Sequence, residues 1–303
     1  MKKMSVFMLV LMIGLLGAGS ALADDPVRIG LMAPLTGAWA SEGQDMKQIV
    51  ELLAESLNAA GGINGRKVQV ITADDGGDPR TAALAAQRLS TQKIVAVIGT
   101  YGSAVTEASQ GIYDEMDIIQ VANGSTAIRL SEKGLKHFLR TCPRDDEQGL
   151  VAYRTLKDGG YKSIGILHDN SSYAKGLADE AKTLLDKDGA NIVFFEALTP
   201  KQNDYTAILT RMRASNPDVV FFTGYYGEAG LLLRQKMEMN WPVPFIGGDA
   251  TNNPDLVKIA GNAAAKGFRF LSPPVPQDLD TPEAKAFMES YRGKPCSCIK
   301  KVN

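Results

Sequence analysis

The chain has 303 residues, 45% of them hydrophobic and 22% charged, which is the composition of an ordinary soluble globular protein. Its 33 basic side chains nearly balance 34 acidic ones, so the charge does not favour a polyanionic partner and we expect no binding to nucleic acid. Because the whole chain has two histidines, we also expect no imidazole-based catalysis, no metal site and no cofactor.

The first residues contain the successive regions of a secretory signal peptide in their usual order. Two lysines precede an apolar run over residues 6–16, and Ala21-Leu22-Ala23 follows as a small-residue cleavage signal. The run is well short of the ~20 apolar residues that cross a bilayer, and no cysteine lies near the expected cut for lipid attachment. We therefore expect a periplasmic protein that is cleaved near Ala23.

From Val27 onward, short apolar runs alternate with longer amphipathic ones. The pattern predicts strands in a first series at Val27–Ala33, 67–73, 94–98 and 118–121, with helical stretches between them. In the first helical stretch, five apolar residues at helical spacing predict a buried stripe, namely Met46, Ile49, Val50, Leu53 and Leu57.

A second series of the same kind begins after Cys142. It has predicted helices at 145–157, 173–187, 205–214 and 228–239, and strands at 163–167, 191–196, 218–223 and 244–246. Such alternation is typical of parallel sheets covered by helices on both faces. We predict an α/β fold with two doubly wound parallel-sheet lobes joined by hinge crossovers, lobe 1 being 24–141 plus 270–303 and lobe 2 being 142–269. Residues 267–276 are the expected return to lobe 1.

The loops that follow the strands of lobe 1 are candidate binding sites, because ligands of open parallel sheets bind beyond the carboxyl ends of the strands. Ser103 stands where a helix N-cap is expected, and its hydroxyl and the backbone N–H groups after it are suited to a carboxylate. Thr126, with the exposed amides before it, offers the same chemistry. From spacing alone, capping of their own helices is an equal alternative for both residues.

In lobe 2 the corresponding loops carry two tyrosines and one carboxylate. Tyr173 and Tyr225 offer flat apolar walls with polar tips, and Asp249 is suited to an ammonium group. The equally weighted alternative for Asp249 is a turn residue that caps the helix starting near Pro254.

Several collinear segments resemble one family. They are Gly61-Gly62-Ile63-Asn64-Gly65-Arg66-Lys67-Val68 with Asp74-Asp75 and Asp78-Pro79, then Val97-Ile98-Gly99, Leu139-Arg140-Thr141, His168-Asp169 with Tyr173-Ala174-Lys175-Gly176-Leu177-Ala178, Thr223-Gly224-Tyr225 and Leu233-Arg234-Gln235. Over about residues 27–291 the chain is similar to the leucine/isoleucine/valine-binding family of type I periplasmic binding proteins.

The resemblance implies a role for each candidate residue. Ser103 and Thr126 hold the α-carboxylate of an amino acid through hydroxyls and backbone amides, and Asp249 meets its α-ammonium with the Gly124 carbonyl and the Thr126 hydroxyl nearby. Ser125, between Gly124 and Thr126, also belongs to the implied ligand-binding residues. The remaining implied contacts are Tyr173 and Tyr225, which close over the ligand from lobe 2, and Trp39 or Glu42 near its side chain.

The implied function is that of the binding component of an ABC importer. It captures a branched-chain or other aliphatic amino acid, delivers it to a membrane permease, acts as a monomer and has no catalytic activity. The alternatives are a binding protein for another small ligand, such as an amide, urea or an aromatic acid, and a non-functional truncated fragment.

Three features depart from the family pattern. Gly77 and Gly102 stand where studied members have a disulfide, and Asp249 stands where several have glutamate. The tail with Cys296 and Cys298 does not resemble family sequence, has no neighbouring histidine for a zinc site and, together with Cys142, gives an odd number of cysteines. We expect a chain truncated or frame-shifted after about Lys294, with the last part of lobe 1 missing and apolar surface exposed there.

Overall fold

The computed structural model describes residues 25–292 and contains two separate five-stranded sheets, all of whose strand pairs are parallel. This confirms the predicted α/β fold with two parallel-sheet lobes. The predicted signal peptide and the tail with Cys296 and Cys298 lie outside the described residues. No helix between residues 25 and 292 is long and apolar enough to cross a membrane.

The first sheet has the strand order β2-β1-β3-β4-β5. Its strands are β1 (Val27–Ala33), β2 (Val68–Asp74), β3 (Ala96–Ile98), β4 (Ile119–Ala122) and β5 (Phe138–Arg140). The helices between them are α1 (Ala40–Ala59), α2 (Pro79–Ser90) and α3 (Ser103–Glu115), and a 3₁₀ turn spans Ile128–Ser131.

The second sheet has the order β10-β9-β8-β6-β7. Its strands are β6 (Ile164–His168), β7 (Ile192–Ala197), β8 (Val219–Thr223), β9 (Phe245–Gly247) and β10 (Arg269–Phe270). The helices from here on are α4 (Asp145–Asp158), α5 (Ser172–Lys187), α6 (Thr206–Ala214), α7 (Tyr226–Glu238), α8 (Asp255–Ala260), α9 (Asn262–Ala265) and α10 (Pro282–Arg292), with 3₁₀ turns at Asp249–Thr251 and Pro276–Asp278.

Each lobe has its own core. Every residue of β6 and β8 is buried, as expected for parallel strands that helices cover on both faces. In the first lobe, Met32, Val97 and Tyr113 pack with the alanine-rich inner face of α2. The strand ends that face the other lobe are therefore held by two well-packed cores.

The predicted apolar stripe of α1 is only half correct. Met46 and Val50 are buried against β1 and its neighbours, whereas Leu53 is 52% and Leu57 39% exposed, and Leu52 is buried instead. A stripe is buried only where another element covers it. Among the described residues, the last turns of α1 have no such cover.

The same lobe exposes apolar side chains on its sheet. Ile119 of β4 and Leu139 of β5 are 41% and 57% exposed, and their pairing places both side chains on one face of the sheet. The first sheet therefore presents apolar side chains of β4 and β5 on one partly exposed face.

The expected return to the first lobe begins later than predicted. Phe270 pairs with Gly247 of β9, and Leu271 is buried in the core of the second lobe. The apolar side chain of Leu271 keeps this segment on the second sheet, so the strand ends one residue past the predicted boundary at 269. The lobe assignment of the remaining residues stays a prediction.

Candidate functional site

The loops after β3, β4, β8 and β9 meet between the lobes, as expected for ligand sites of parallel sheets. With the start of α5 they enclose a cavity of about 220 Å³. Residues from both lobes line it, including Glu42, Tyr101, Gly124, Tyr173, Tyr225 and Asp249. Four of the predicted residues do not line the cavity, namely Trp39, Ser103, Ser125 and Thr126. The last three lie in the protein interior and are no more than 1% exposed.

Asp249 is a partly buried carboxylate at the cavity wall. Its Oδ1 accepts hydrogen bonds from the Tyr173 hydroxyl at 2.7 Å and from the Ala250 N–H at 2.9 Å. Burial raises the pKa of Asp249, because these bonds do not fully replace water. The alternative role of capping the helix near Pro254 is not observed, since Asn253 Oδ1 accepts the N–H of Asp255 there.

Ser103 is the first residue of α3 and not its N-cap, which is Gly102, so the predicted cap position is wrong by one residue. Its hydroxyl oxygen accepts the Ala127 N–H at 3.1 Å from the neighbouring loop. Because the hydroxyl acts as the acceptor in this bond, its own hydrogen is left to donate to an anionic group.

Thr126 is fully buried, and its hydroxyl has no hydrogen-bond partner. It caps no helix, because the next 3₁₀ turn has Ala127 as its N-cap. Ser125 differs, since its hydroxyl is bonded to Thr106 Oγ1 at 2.6 Å and to the Thr100 carbonyl at 3.0 Å. These bonds join the two loops of the first lobe, and they occupy the hydroxyl of a residue that we predicted to bind the ligand.

Four aromatic rings from the two lobes pack together at the cavity. Trp39 stacks on Tyr225 with ring centroids 4.1 Å apart, and Tyr101 lies 5.7 Å from both rings. Tyr173 lies 5.5 Å from Tyr225 on the other side. The aromatic wall therefore spans both lobes, with Trp39 and Tyr101 on one side and two tyrosines on the other.

The two glycines at the family's disulfide positions make room for Trp39. A Cβ atom on Gly77 would lie 2.6 Å from the indole Cε3, and one on Gly102 would lie 2.8 Å from the indole Cζ3. Atoms this close overlap, so the indole occupies a slot that exists because both side chains are hydrogen. Gly124 has a similar role towards Tyr101, whose Cδ2 lies 2.8 Å from the position of an added Cβ.

Polar contacts also join the lobes. Glu42 accepts a hydrogen bond from the Asn253 side chain at 2.6 Å, and the Tyr226 hydroxyl donates to the Ala38 carbonyl at 2.8 Å. Burial raises the pKa of Glu42. Glu42 thus lines the cavity and contributes to the contact between lobes.

Sequence reasoning missed Asp145 and Gln148 at the start of α4. Asp145 is 0% exposed, and neither of its carboxylate oxygens has a hydrogen-bond partner. Burial raises the pKa of Asp145 to about 7, although the nearby Thr126 hydroxyl opposes the shift. The Gln148 Nε2 is likewise buried without a partner, while its Oε1 accepts the Asp249 N–H at 3.4 Å.

The buried polar atoms without hydrogen-bond partners indicate what kind of ligand the site can hold. Buried polar groups are nearly always hydrogen-bonded, so several buried polar atoms without a partner in one place indicate that a polar ligand binds there. The hydroxyl of Ser103 is suited to an anionic group, the hydroxyl of Thr126 can donate to an anion or accept from a cation, and the carboxylates of Asp145 and Asp249 are suited to a cationic group. Together with the aromatic wall, the arrangement can hold a small molecule with two opposite charges and an apolar part.

Comparison with known proteins gives a consistent result. A family described as periplasmic binding protein matches residues 26–295. An "Amino acid binding protein" of Pseudomonas aeruginosa is 38% identical over 278 residues, which is 90% of this chain and 72% of the relative. The "Leu/Ile/Val-binding protein BraC3" of Rhizobium johnstonii is 36% identical, with 91% of this chain and 75% of the relative covered.

A solved structure also matches across both lobes. It is the branched-chain amino acid transporter substrate binding protein LivJ of Streptococcus pneumoniae in complex with isoleucine. Its TM-score is 0.81 at 28% sequence identity, and the match covers 88% of this chain and 77% of that one.

Proposed function

Because the chain belongs to the periplasmic binding protein family, we propose that it is the substrate-binding component of an ABC importer. It captures a branched-chain or other aliphatic amino acid between its lobes and delivers it to a membrane permease. It acts in the periplasm as a monomer after cleavage near Ala23, and its function is binding without catalysis.

The observation that carries the proposal is the group of buried polar atoms without partners at the gap between the lobes. Transfer of a zwitterion from water is costly unless each charge meets a partner. The buried Thr126 hydroxyl and Asp145 carboxylate lie near each other but form no hydrogen bond of standard geometry, and Asp249 places a carboxylate at the cavity wall. An α-ammonium group supplies three donors to such acceptors.

The opposite pole of the ligand has a matching site. The first N–H groups of α3 have no partner inside the helix, and the helix dipole favours an anion there. The Ser103 hydroxyl stands at this helix start with its hydrogen free to donate. A ligand carboxylate at this position is therefore met by charge-compatible donors.

Size and shape favour a single amino acid. A volume of about 220 Å³ is below the ~300–1,000 Å³ of pockets for drug-sized ligands. Aromatic walls from Tyr101, Tyr173 and Tyr225 suit an apolar side chain. An uncharged amide or a purely anionic acid fits less well, because it leaves the carboxylate of Asp249 without a cation.

The proposal is tested by a thermal-shift screen of the full chain against leucine and two analogues that each lack one charge. We expect leucine, isoleucine and valine to raise the melting temperature, because a ligand that binds only the folded state stabilises it. Leucinamide lacks the carboxylate and 4-methylpentanoate lacks the ammonium, so we expect neither to produce the shift. The absence of a shift with every common amino acid, or an equal shift with either analogue, contradicts the proposal.

A further inference from the structure

We propose that binding of the amino acid expels a proton from Asp145, so that ligand capture is coupled to proton release. The inference rests on the proposed function, since it needs a ligand with an ammonium group. It goes beyond that function because it makes affinity depend on pH.

The carboxyl group of Asp145 is enclosed by protein on several sides. Its own N–H donates to the Thr126 carbonyl at 3.0 Å, which places it against the first lobe. An added Cβ on Gly176 of α5 would lie 3.1 Å from Asp145 Oδ2, so this helix packs directly on the carboxylate. Water is excluded as a result, and the side chain is 0% exposed.

No cation of the described chain neutralises this carboxyl group. Arg140 favours the ionised form of Asp145 electrostatically, but its guanidinium donates to the carbonyls of Ser125 and Ala127 at 3.2 and 3.0 Å. Arg129 is bonded to Glu107 at 2.7 Å. The titratable or charged groups near enough to interact electrostatically with Asp145 are Asp249, Asp146, Arg140, Arg129, Cys142, Tyr173 and Tyr225.

Asp145 does not itself line the cavity, but compared with Asp249, which does, it is the carboxyl group better suited to carry the proton. Asp249 accepts two hydrogen bonds, which favour its charged form, whereas Asp145 has none of standard geometry. Burial raises the pKa of Asp145 to about 7, with a further contribution from the negative charge of Asp249. Asp145 is therefore largely protonated in slightly acidic solution.

A bound ammonium group shifts the equilibrium of Asp145 from the protonated to the ionised form. Because the charge of Asp249 is felt at Asp145, a cation held by Asp249 acts on Asp145 with the opposite sign. The ionised form of Asp145 is then favoured, its proton passes to the solvent, and its negative charge helps to balance the ammonium group held at Asp249. Neither pole of the ligand titrates near pH 6, so the proton comes from the protein.

The test is calorimetric titration of the full chain with leucine at pH 6 in three buffers of different ionisation enthalpy. The slope of the binding enthalpy against the buffer enthalpy counts the protons released. We expect up to about 0.9 proton per ligand for the wild type at pH 6, which is the protonated fraction of a carboxyl group of pKa about 7, and up to about 0.1 at pH 8. The Kd should fall about tenfold between these two pH values.

The matched variants are Asp145→Asn and Asp146→Asn. Asp146 is the next residue and is paired with Arg144 at 2.8 Å, outside the cleft, so its variant should keep the wild-type slope. Asp145→Asn should bind with a slope near zero and the same Kd at both pH values. If this variant does not fold, the wild-type slope and Kd ratio still decide the question.

The outcomes separate the two proposals. Leucine binding with a slope near zero at pH 6, or an Asp145→Asn protein that retains the slope, overturns proton release but leaves the binding function intact. Failure of the wild type to bind any common amino acid at either pH overturns the proposed function and, with it, this inference.

Discussion

Replacing Asp249 by asparagine separates the charge of this side chain from its packing. The amide Oδ1 can still accept the bonds from Tyr173 at 2.7 Å and from the Ala250 N–H at 2.9 Å. What is lost is the negative charge at the cavity wall. We therefore expect the binding of leucine to change much more than the fold.

The expected loss follows from the charge that is left unpaired. Without Asp249, an ammonium group enclosed between the lobes keeps the Thr126 hydroxyl and Asp145 as its partners. Removal of one partner of an enclosed ion pair costs about 3–5 kcal/mol, or roughly a 10²- to 10³-fold or larger increase in Kd. The melting temperature of the unliganded protein should be unchanged or higher, because burial already raises the pKa of Asp249 and disfavours its charge.

Calorimetric titration with leucine gives the Kd, and scanning calorimetry without ligand gives the melting temperature. A Kd within threefold of the wild type would show that Asp249 does not meet the ammonium group. If affinity and melting temperature fell together, the residue would act by holding the fold, and the assignment of a ligand charge partner would be wrong.

Three further predictions concern the neighbouring groups. Ser103→Ala should weaken leucine binding by about 1–3 kcal/mol in calorimetry, because one donor to the carboxylate is lost while the backbone N–H groups remain; unchanged affinity argues against this contact. Gly102→Ala should lower stability by about 1–3 kcal/mol in chemical unfolding, since its Cβ falls 2.8 Å from the indole of Trp39. The control Gly111→Ala, within α3, which Gly102 precedes as N-cap, has open space around its Cβ and should be neutral or stabilising. Finally, because the folded-state pKa of Asp145 is raised to about 7, the unliganded protein should lose up to about 4 kcal/mol of stability as pH rises from 4 to 8. Asp145→Asn should remove that part of the loss, and parallel pH profiles of the two proteins would contradict the assigned pKa.

The long helices and strands could be predicted from the sequence because apolar residues recur in them at helical or strand spacing. The first strand matches the prediction at Val27–Ala33, and the helix predicted at 145–157 is observed as Asp145–Asp158. The short strands β5 and β10, with three and two residues, were not predicted. Segments of this length carry no pattern of their own, and a neighbouring strand supplies the hydrogen bonds that define them.

The general position of the site was also predictable, but the partners of its side chains were not. The strand-end rule placed Asp249, Tyr173 and Tyr225 on loops that do line one cavity. Ser103 and Ser125 look equivalent in the sequence, yet Ser103 keeps a hydrogen to donate and Ser125 is bonded to the neighbouring loop. This difference depends on contacts between loops more than 20 residues apart, which local sequence does not encode.

Asp145 shows which signal was available and overlooked. Three acidic residues in the first turn of α4 are ordinary for a helix, because its dipole favours negative charge there. The helical stripe formed by Leu156 and Ala152, however, continues back through Gln148 to Asp145, so these two polar residues lie on the buried face. Asp146 lies off that stripe and forms an exposed ion pair with Arg144. A carboxylate on the apolar stripe of a helix next to a strand-end cleft is costly to the fold alone, and binding of a cationic ligand gives a physical reason for its presence.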